Sequence, residues 1–359
     1  MATLTAAREA PPAARLRPLA PAAAFLAGQV LALLATWAVA VPSGWSMWAL
    51  LHQWDARHFE DVARRGYDGD DYAFFPGLPL LVRGVSTVVP ADVAGVLVSV
   101  TAGVVLAYGV DRLTRQLGGD TLIPVWLAGV LPLSVVFLMP YAEAVFCALA
   151  VWTLVALGRD RLLLAAGLCA AAGLVRPTAV ALVLAVLVAA AVRRDRSALV
   201  AAAVAPLGLL GYLGWVAVRT GSPTGWAEQE SRGWRTAFDG GAFTWGWLRT
   251  IAAHGPSGVD VAILAAAVAC VATAVVLVRR RRPDAAVYVA GVVVLALGTS
   301  GVWNSKYRLL LPALVVGCAL AGPPLARLRT PVRLVVLAAV AAVGCCYSAY
   351  LLTSYPYAL

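Results

Sequence analysis

Apolar runs of about 20 residues, parted by short polar gaps, follow one another through almost the whole of the chain. Inside hydrocarbon a backbone must satisfy its own hydrogen bonds, so runs of this length become bilayer-crossing helices. Eleven candidate spans lie at about 20–42, 91–110, 121–139, 141–157, 162–176, 178–192, 198–218, 258–278, 285–302, 307–325 and 332–352. The run from Leu162 to Ala191 is too long for one crossing and is interrupted by "VRP" at 175–177. Proline disfavours helix in the residue before it, so two shorter helices meeting at the membrane surface are expected; one kinked helix is the alternative. The first run, behind Arg8, Arg15 and Arg17, is longer than a signal-peptide core and reads as a retained span, although "AVA" at 38–40 has the form of a cleavage site. With 62% hydrophobic and 13% charged residues, the expectation is an all-α polytopic membrane protein, 1–359 forming a single integral domain. The six cysteines fall within apolar runs, where they act as small hydrophobes.

Charge placement orients the spans, because basic residues concentrate in cytoplasmic loops. With residues 1–19 as a cytoplasmic tail, seventeen basic residues fall on the inner face, "RRRR" at 279–282 among them, and eleven on the outer face. Twelve acids share the outer face with those eleven, so the inner face is near +11 and the outer near −1, together the chain's net charge of +10. The basic pI of about 9.7 therefore reflects topology, and no nucleic-acid partner is expected. The two long loops, 43–90 and 219–257, and all three histidines lie on the outer face. Long loops in compact proteins commonly carry function, so the chemistry is expected outside.

In loop 43–90 the stretch "WDARHFEDVARRGYDGDDYAFFPGLPLL" (54–81) gathers most of the charge of its region. Phe59, Val62 and Ala63 recur at helical spacing with charges opposite, as in a short amphipathic helix lying on a membrane. Asp55 stands where an N-cap belongs; equally, a carboxylate beside an interfacial tryptophan is a candidate general base. "DGDD" at 68–71 has the form of a carboxylate metal site but reads as a solvated turn, so no metal is expected and turnover should continue in a chelator. Phe74 and Phe75, followed by two prolines, make a stiff apolar stretch suited to walling a groove.

Glu143, Arg176, Lys306 (the only lysine) and Arg308 stand at or within the outer boundary, where an ionisable group is costly. Snorkelling to the interface is the bland account; together, such cations could hold a lipid-linked phosphate. Trp226, Trp234, Trp245 and Trp247 in loop 219–257 suit a membrane-interface belt or sugar stacking.

"WDARHFEDVARRGY" with "AFFPGLPLL" resembles the first luminal loop of the PIG-V-like mannosyltransferases, the family of the enzyme that adds the second mannose to glycosylphosphatidylinositol anchors. "PYAEAVFCAL" and "GLVRPTA" resemble later motifs of that family in the same order, and the likeness covers roughly residues 50–180, with weaker support from "KYRLLLP" near the end. It implies a GT-C fold of about 11 transmembrane helices whose first outer loop carries short amphipathic helices. It further implies an inverting transferase that takes mannose from a polyprenyl-phosphate mannose donor to an α-mannoside; no cofactor is expected, with a divalent metal at "DGDD" as the alternative. Carried onto this chain, Asp55 becomes the catalytic base and Arg176, Lys306 and Arg308 the donor-phosphate ligands. Trp54, His58, Tyr141, Glu143, Phe74 and Phe75 become candidates for binding acceptor or sugar. The chain is shorter than the anchor-building enzymes, rich in Ala, Val and Arg and nearly without Lys. That bias suits an actinobacterial envelope enzyme acting on a lipid or glycan acceptor in the plasma membrane. A transporter or flippase of lipid-linked sugars, a transferase of another polyprenyl-linked sugar, and a non-catalytic scaffold stand as alternatives.

Overall fold

In this computed structural model, residues 17–355 are described; Arg8, Arg15 and most of the 1–19 tail lie outside them. Seventeen α-helices and three short 3-10 turns make up the described chain, and among the described residues strand-like pairing is confined to one bridge, Phe238 with Thr299. The helices are α1 (Ala20–Ala40), α2 (Met47–Leu51), α3 (Asp55–Arg65), α4 (Gly77–Val85), α5 (Ala91–Gln116), α6 (Ile123–Val130), α7 (Ala142–Leu157), α8 (Leu162–Gly173) and α9 (Ala179–Arg193). They continue as α10 (Arg196–Val204), α11 (Leu207–Thr220), α12 (Gly225–Trp234), α13 (Ala242–His254), α14 (Gly258–Arg279), α15 (Pro283–Gly298), α16 (Lys306–Ala326) and α17 (Thr330–Thr353).

Among the described residues, six runs are long and apolar enough to cross a bilayer: α1, α5, the nearly continuous α10–α11, α14, α16 and α17. Four shorter apolar helices, α7, α8, α9 and α15, fill the interior, and α6 with the turn Ser134–Phe137 forms the remaining candidate span. The chain is an integral membrane protein. The helix break expected at "VRP" is present: α8 stops at Gly173 and α9 starts at Ala179, leaving Arg176 in the gap. The core runs between α5, α7 and α8 on one side and α9, α15 and α16 on the other, with α1 packed on α6 and α17. All six cysteines are free; five are buried, and Cys346 on α17 faces outward.

Hydrogen bonds gather the loops at two ends. Arg282 donates to Leu154 O, Arg280 to Leu117 O and Arg193 to Asp160 O, so the segments rich in arginine share one end. The two long loops share the other: Trp226 Nε1 donates to Ala73 O at 3.2 Å and Tyr212 OH to Phe74 O at 2.6 Å.

Within loop 43–90, α3 does not turn its apolar stripe outward as its amphipathic pattern suggested. Helix α3 buries Ala56, Phe59, Val62 and Ala63 against α4 and α5, so its apolar stripe is spent on the protein. The stiff "FFPG" stretch docks on the helix break, where Gly77 N–H donates to Leu174 O at 2.7 Å. A Cβ on Gly77 would come within 2.6 Å of Val175 Cγ2 and 2.9 Å of the Leu174 carbonyl, so only glycine permits this approach. Gly77→Ala is expected to destabilise by about 1–3 kcal/mol, as overpacking does, read as a lower melting temperature in detergent with early proteolysis of loop 43–90. An unchanged melting temperature would show that the loop is anchored elsewhere.

Candidate active site

The end of the bundle that carries the long loops encloses a cavity of about 720 Å³. Five of the charged residues singled out in the sequence face it: Asp55 from the first turn of α3, Glu143 from that of α7, Arg176 from the helix break, and Lys306 and Arg308 from the first turn of α16. Phe74 and Phe75 supply part of the wall. Trp226, Glu230 and Trp234, spaced four residues apart along α12, roof it. Val180, Leu209, Leu213, Val292 and Leu295, from α9, α11 and α15, form an apolar flank.

Asp55 is not an N-cap. Trp54 holds the capping position with φ +54°, a left-handed conformation rare for a bulky side chain, and Asp55 is the first helical residue. Its carboxylate reaches away from the helix: Oδ2 accepts from Arg308 Nη1 at 2.6 Å. A partner thus draws the side chain toward the cavity, and backbone strain at Trp54 accompanies the turn that aims it. Arg308 Nε lies 3.4 Å from Glu143 Oε1, and Arg176 Nη1 donates to the same carboxylate oxygen. The two arginines and two carboxylates therefore form one chain, Asp55–Arg308–Glu143–Arg176. The guanidinium groups also rest on ring faces, Arg308 over Tyr141 and Arg176 over Phe146.

Lys306 is 1% exposed, so it does not snorkel. Its ammonium donates to Ala296 O at 2.7 Å and to Thr299 O at 2.5 Å, where α15 ends. A cation there satisfies carbonyls that the helix leaves unpaired. Lys306 lines the cavity, but two of its three N–H donors serve the fold.

Trp54, His58 and Tyr141 do not line this cavity. Tyr141 is fully buried, and its OH donates to Gln53 O at 3.3 Å. Trp54 and His58 line a second cleft of about 610 Å³ with Arg57, Trp45 and Thr353–Tyr355 at the end of α17. Helical periodicity explains the division: Trp54, Arg57 and His58 occupy one side of the first turn of α3, Asp55 and Phe59 the other. Only a thin wall separates the two spaces, because the His58 ring stacks on Phe74 at 4.7 Å.

Of the four loop tryptophans, Trp245 is 65% exposed, open to the interfacial-belt role. Trp226 and Trp234 face the cavity, and Trp247 stacks on Trp303 and donates to Asp260. "DGDD" forms a 3-10 turn in which Asp68 accepts from Gly69 N–H and Asp71 sits 3.2 Å from His58 Nδ1.

Glu230 was missed by sequence reasoning. Its side chain opens to the cavity, whose walls screen it from bulk water; burial, reinforced by the nearby Asp55 charge, pushes its carboxyl up to about 7. The available signal was the Trp226–Glu230–Trp234 spacing, which puts a lone acid between two tryptophans on one helical face.

No protein-family model matches the chain, and no curated protein matches it. Among solved structures, ArnT from Cupriavidus metallidurans bound to undecaprenyl phosphate aligns with a TM-score of 0.51 and 14% identity over 80% of this chain and 58% of that one. The apo oligosaccharyltransferase of Archaeoglobus fulgidus aligns with a TM-score of 0.45 and 13% identity over 92% of this chain and 56% of that one. This chain thus spans a little over half the length of each. The likeness to ArnT gives it a GT-C-type fold.

Proposed function

We propose that this protein is an inverting glycosyltransferase that moves mannose from a polyprenyl-phosphate mannose donor to a hydroxyl of a lipid or envelope-glycan acceptor at the extracytoplasmic face. The observation that carries the reading is convergence. Asp55, Glu143, Arg176 and Arg308, from four separate segments, form one ion-paired chain on the wall of a cavity with an apolar flank. A prenyl chain fits against the apolar flank and its phosphate near the guanidinium groups. The GT-C fold neighbour ArnT, solved with undecaprenyl phosphate, supports a donor of that chemical class.

In the proposed reaction, Asp55 takes the proton of the acceptor hydroxyl while the acceptor oxygen bonds to the anomeric carbon from the face opposite the phosphate. The bond from that carbon to the phosphate oxygen breaks, and its electron pair stays on the phosphate. Arg308 and Arg176 stabilise the charge that develops there, with Lys306 adding a positive field. Asp55 Oδ2 is held by Arg308, which leaves the other carboxylate oxygen to accept the proton. The acceptor hydroxyl is assigned to the cavity beside Asp55, where Phe74, Trp226 and Trp234 offer stacking faces. Glu143 positions the two arginines. The outward orientation rests on the arginine-rich loops, which belong in the cytoplasm.

A flippase would hold its essential polar groups near mid-membrane; here they cluster at one end. The test supplies polyprenyl-phosphate [³H]mannose to the protein in proteoliposomes with a lipid extract from a strain lacking it. Label is expected in a new glycolipid or glycan, released by α-mannosidase and formed at the same rate in EDTA. Label that crosses the bilayer without transfer would sustain the flippase alternative, and transfer of a different prenyl-linked sugar would replace mannose.

A further inference from the structure

Six ionisable side chains line the cavity, and their charges cancel: Asp55, Glu143 and Glu230 against Arg176, Lys306 and Arg308. Asp55 and Glu143 are each ion-paired to arginine. Among the described residues, Glu230 has neither an ion-pair partner nor a side-chain hydrogen bond, and it is the one acid carried by the roof. Resting on the donor reading above, we propose that Glu230 binds a proton whenever the anionic donor enters, so that donor binding and proton uptake are coupled at this residue.

The charge count gives the reason. With Glu230 ionised the lining is neutral, so a phosphodiester would leave one negative charge uncompensated in a space partly shielded from water. Proton uptake restores the balance, and the acids held by arginine resist it, because each proton would have to displace an ion pair. Glu230 has no such pair to lose. Its carboxyl, already pushed up to about 7 by burial and by Asp55, is half-protonated near neutrality before any ligand arrives. The proton comes from solvent and returns there when the lipid phosphate leaves.

The other charges around Glu230 leave this assignment intact. On α12 itself, Glu228 is taken by Ser222 and Thr224, and Arg232 reaches back to the Glu228 carbonyl. From the turn beneath, Asp70 contacts the Gln229 amide, while Asp71 faces His58. Beyond α12, Asp239 is held by the Gly241 and Phe243 N–H groups. Toward the cavity stand Asp55 on α3, Glu143 on α7, Arg176 at the helix break, and Lys306 and Arg308 on α16. The two arginines pull the Glu230 proton off and Asp55 holds it on.

The probe is polyprenyl-phosphate mannose, a phosphodiester whose own charge does not change across the range used, binding to the full chain in lipid nanodiscs. Above the free-state value near 7 each pH unit weakens binding toward a tenfold limit, so wild-type Kd is expected to rise about tenfold from pH 6 to 8.5. Glu230→Gln, isosteric with the protonated acid, is expected to bind with a nearly flat Kd from pH 6 to 7.5 and to lose most of the rise above it. Glu230→Asp, which keeps a titrating carboxyl, retains a slope. In weak buffer at pH 7.5, donor binding by the wild type takes up a substantial fraction of one proton, and binding by Glu230→Gln takes up almost none. A wild-type Kd that is flat with pH, or an unchanged slope in Glu230→Gln, overturns the coupling while leaving the donor assignment standing. Failure to bind the donor at any pH overturns both.

Discussion

Asp55→Asn is expected to abolish transfer while the protein still inserts, folds and binds donor. A positioned general base contributes about 10²–10⁴-fold, and asparagine, which is isosteric, cannot take the acceptor proton. Its amide oxygen can still accept from Arg308, so the bond now made at 2.6 Å has a substitute and the Arg308–Glu143–Arg176 part of the chain keeps its charges. The expected signature is a fall of about 10³-fold in kcat with a near-wild-type KM for donor, the pattern of an interaction made only in the transition state. Single-turnover transfer measured alongside donor binding separates the two effects. Wild-type turnover by this variant would remove Asp55 as the base.

The parts of this molecule that read directly from sequence are those that local chemistry imposes. Lipid demands long apolar helices, so the spans stand out one by one. The proline at 177 ends the preceding helix wherever the chain goes next, so the break at Arg176 was legible too. The candidate site was legible in part, through charges placed where a membrane makes them costly: Asp55, Glu143, Arg176 and Arg308 all reach the cavity.

What failed to read out was direction. From spacing, Asp55 looked equally like a helix cap, because nothing in the sequence says that residue 308 lies beside residue 55. Trp54 and His58 flank Asp55 and seemed to share its site, yet a single helical turn sends them into a different cleft. Lys306, a phosphate-ligand candidate through the family resemblance, lines the cavity, but its nearest acceptors are the carbonyl ends of α15. Glu230 lay hidden among the other charges of loop 219–257, since only the folding of α12 over the cavity distinguishes it from Glu228. At Asp55 and Glu230 the outcome turns on contacts between segments far apart in the chain, which composition and periodicity do not encode; at Trp54, His58 and Lys306 it turns on which way a local turn points.

Arg308→Ala is expected to cost both stability and turnover, and more of each than any other single cation on the cavity wall. Arg308 is the ion-pair partner of Asp55 and one of two that meet at Glu143, and both acids are largely buried. Truncating it leaves Asp55 with no ion pair among the described residues, while Glu143 keeps Arg176. Removing one partner of a buried pair costs about 3–5 kcal/mol, since a charge is left in a poorly solvated site. The charge on the departing phosphate loses a fixed donor at the same time, worth about 10²–10³ in kcat. Arg308→Lys restores the charge but not the planar fork that spans two carboxylates, so it should recover stability further than turnover. The measurement pairs thermal unfolding in detergent with donor turnover for both variants. Equal activity in Arg308→Lys and the wild type would reduce Arg308 to a point charge and leave Arg176 as the principal phosphate ligand.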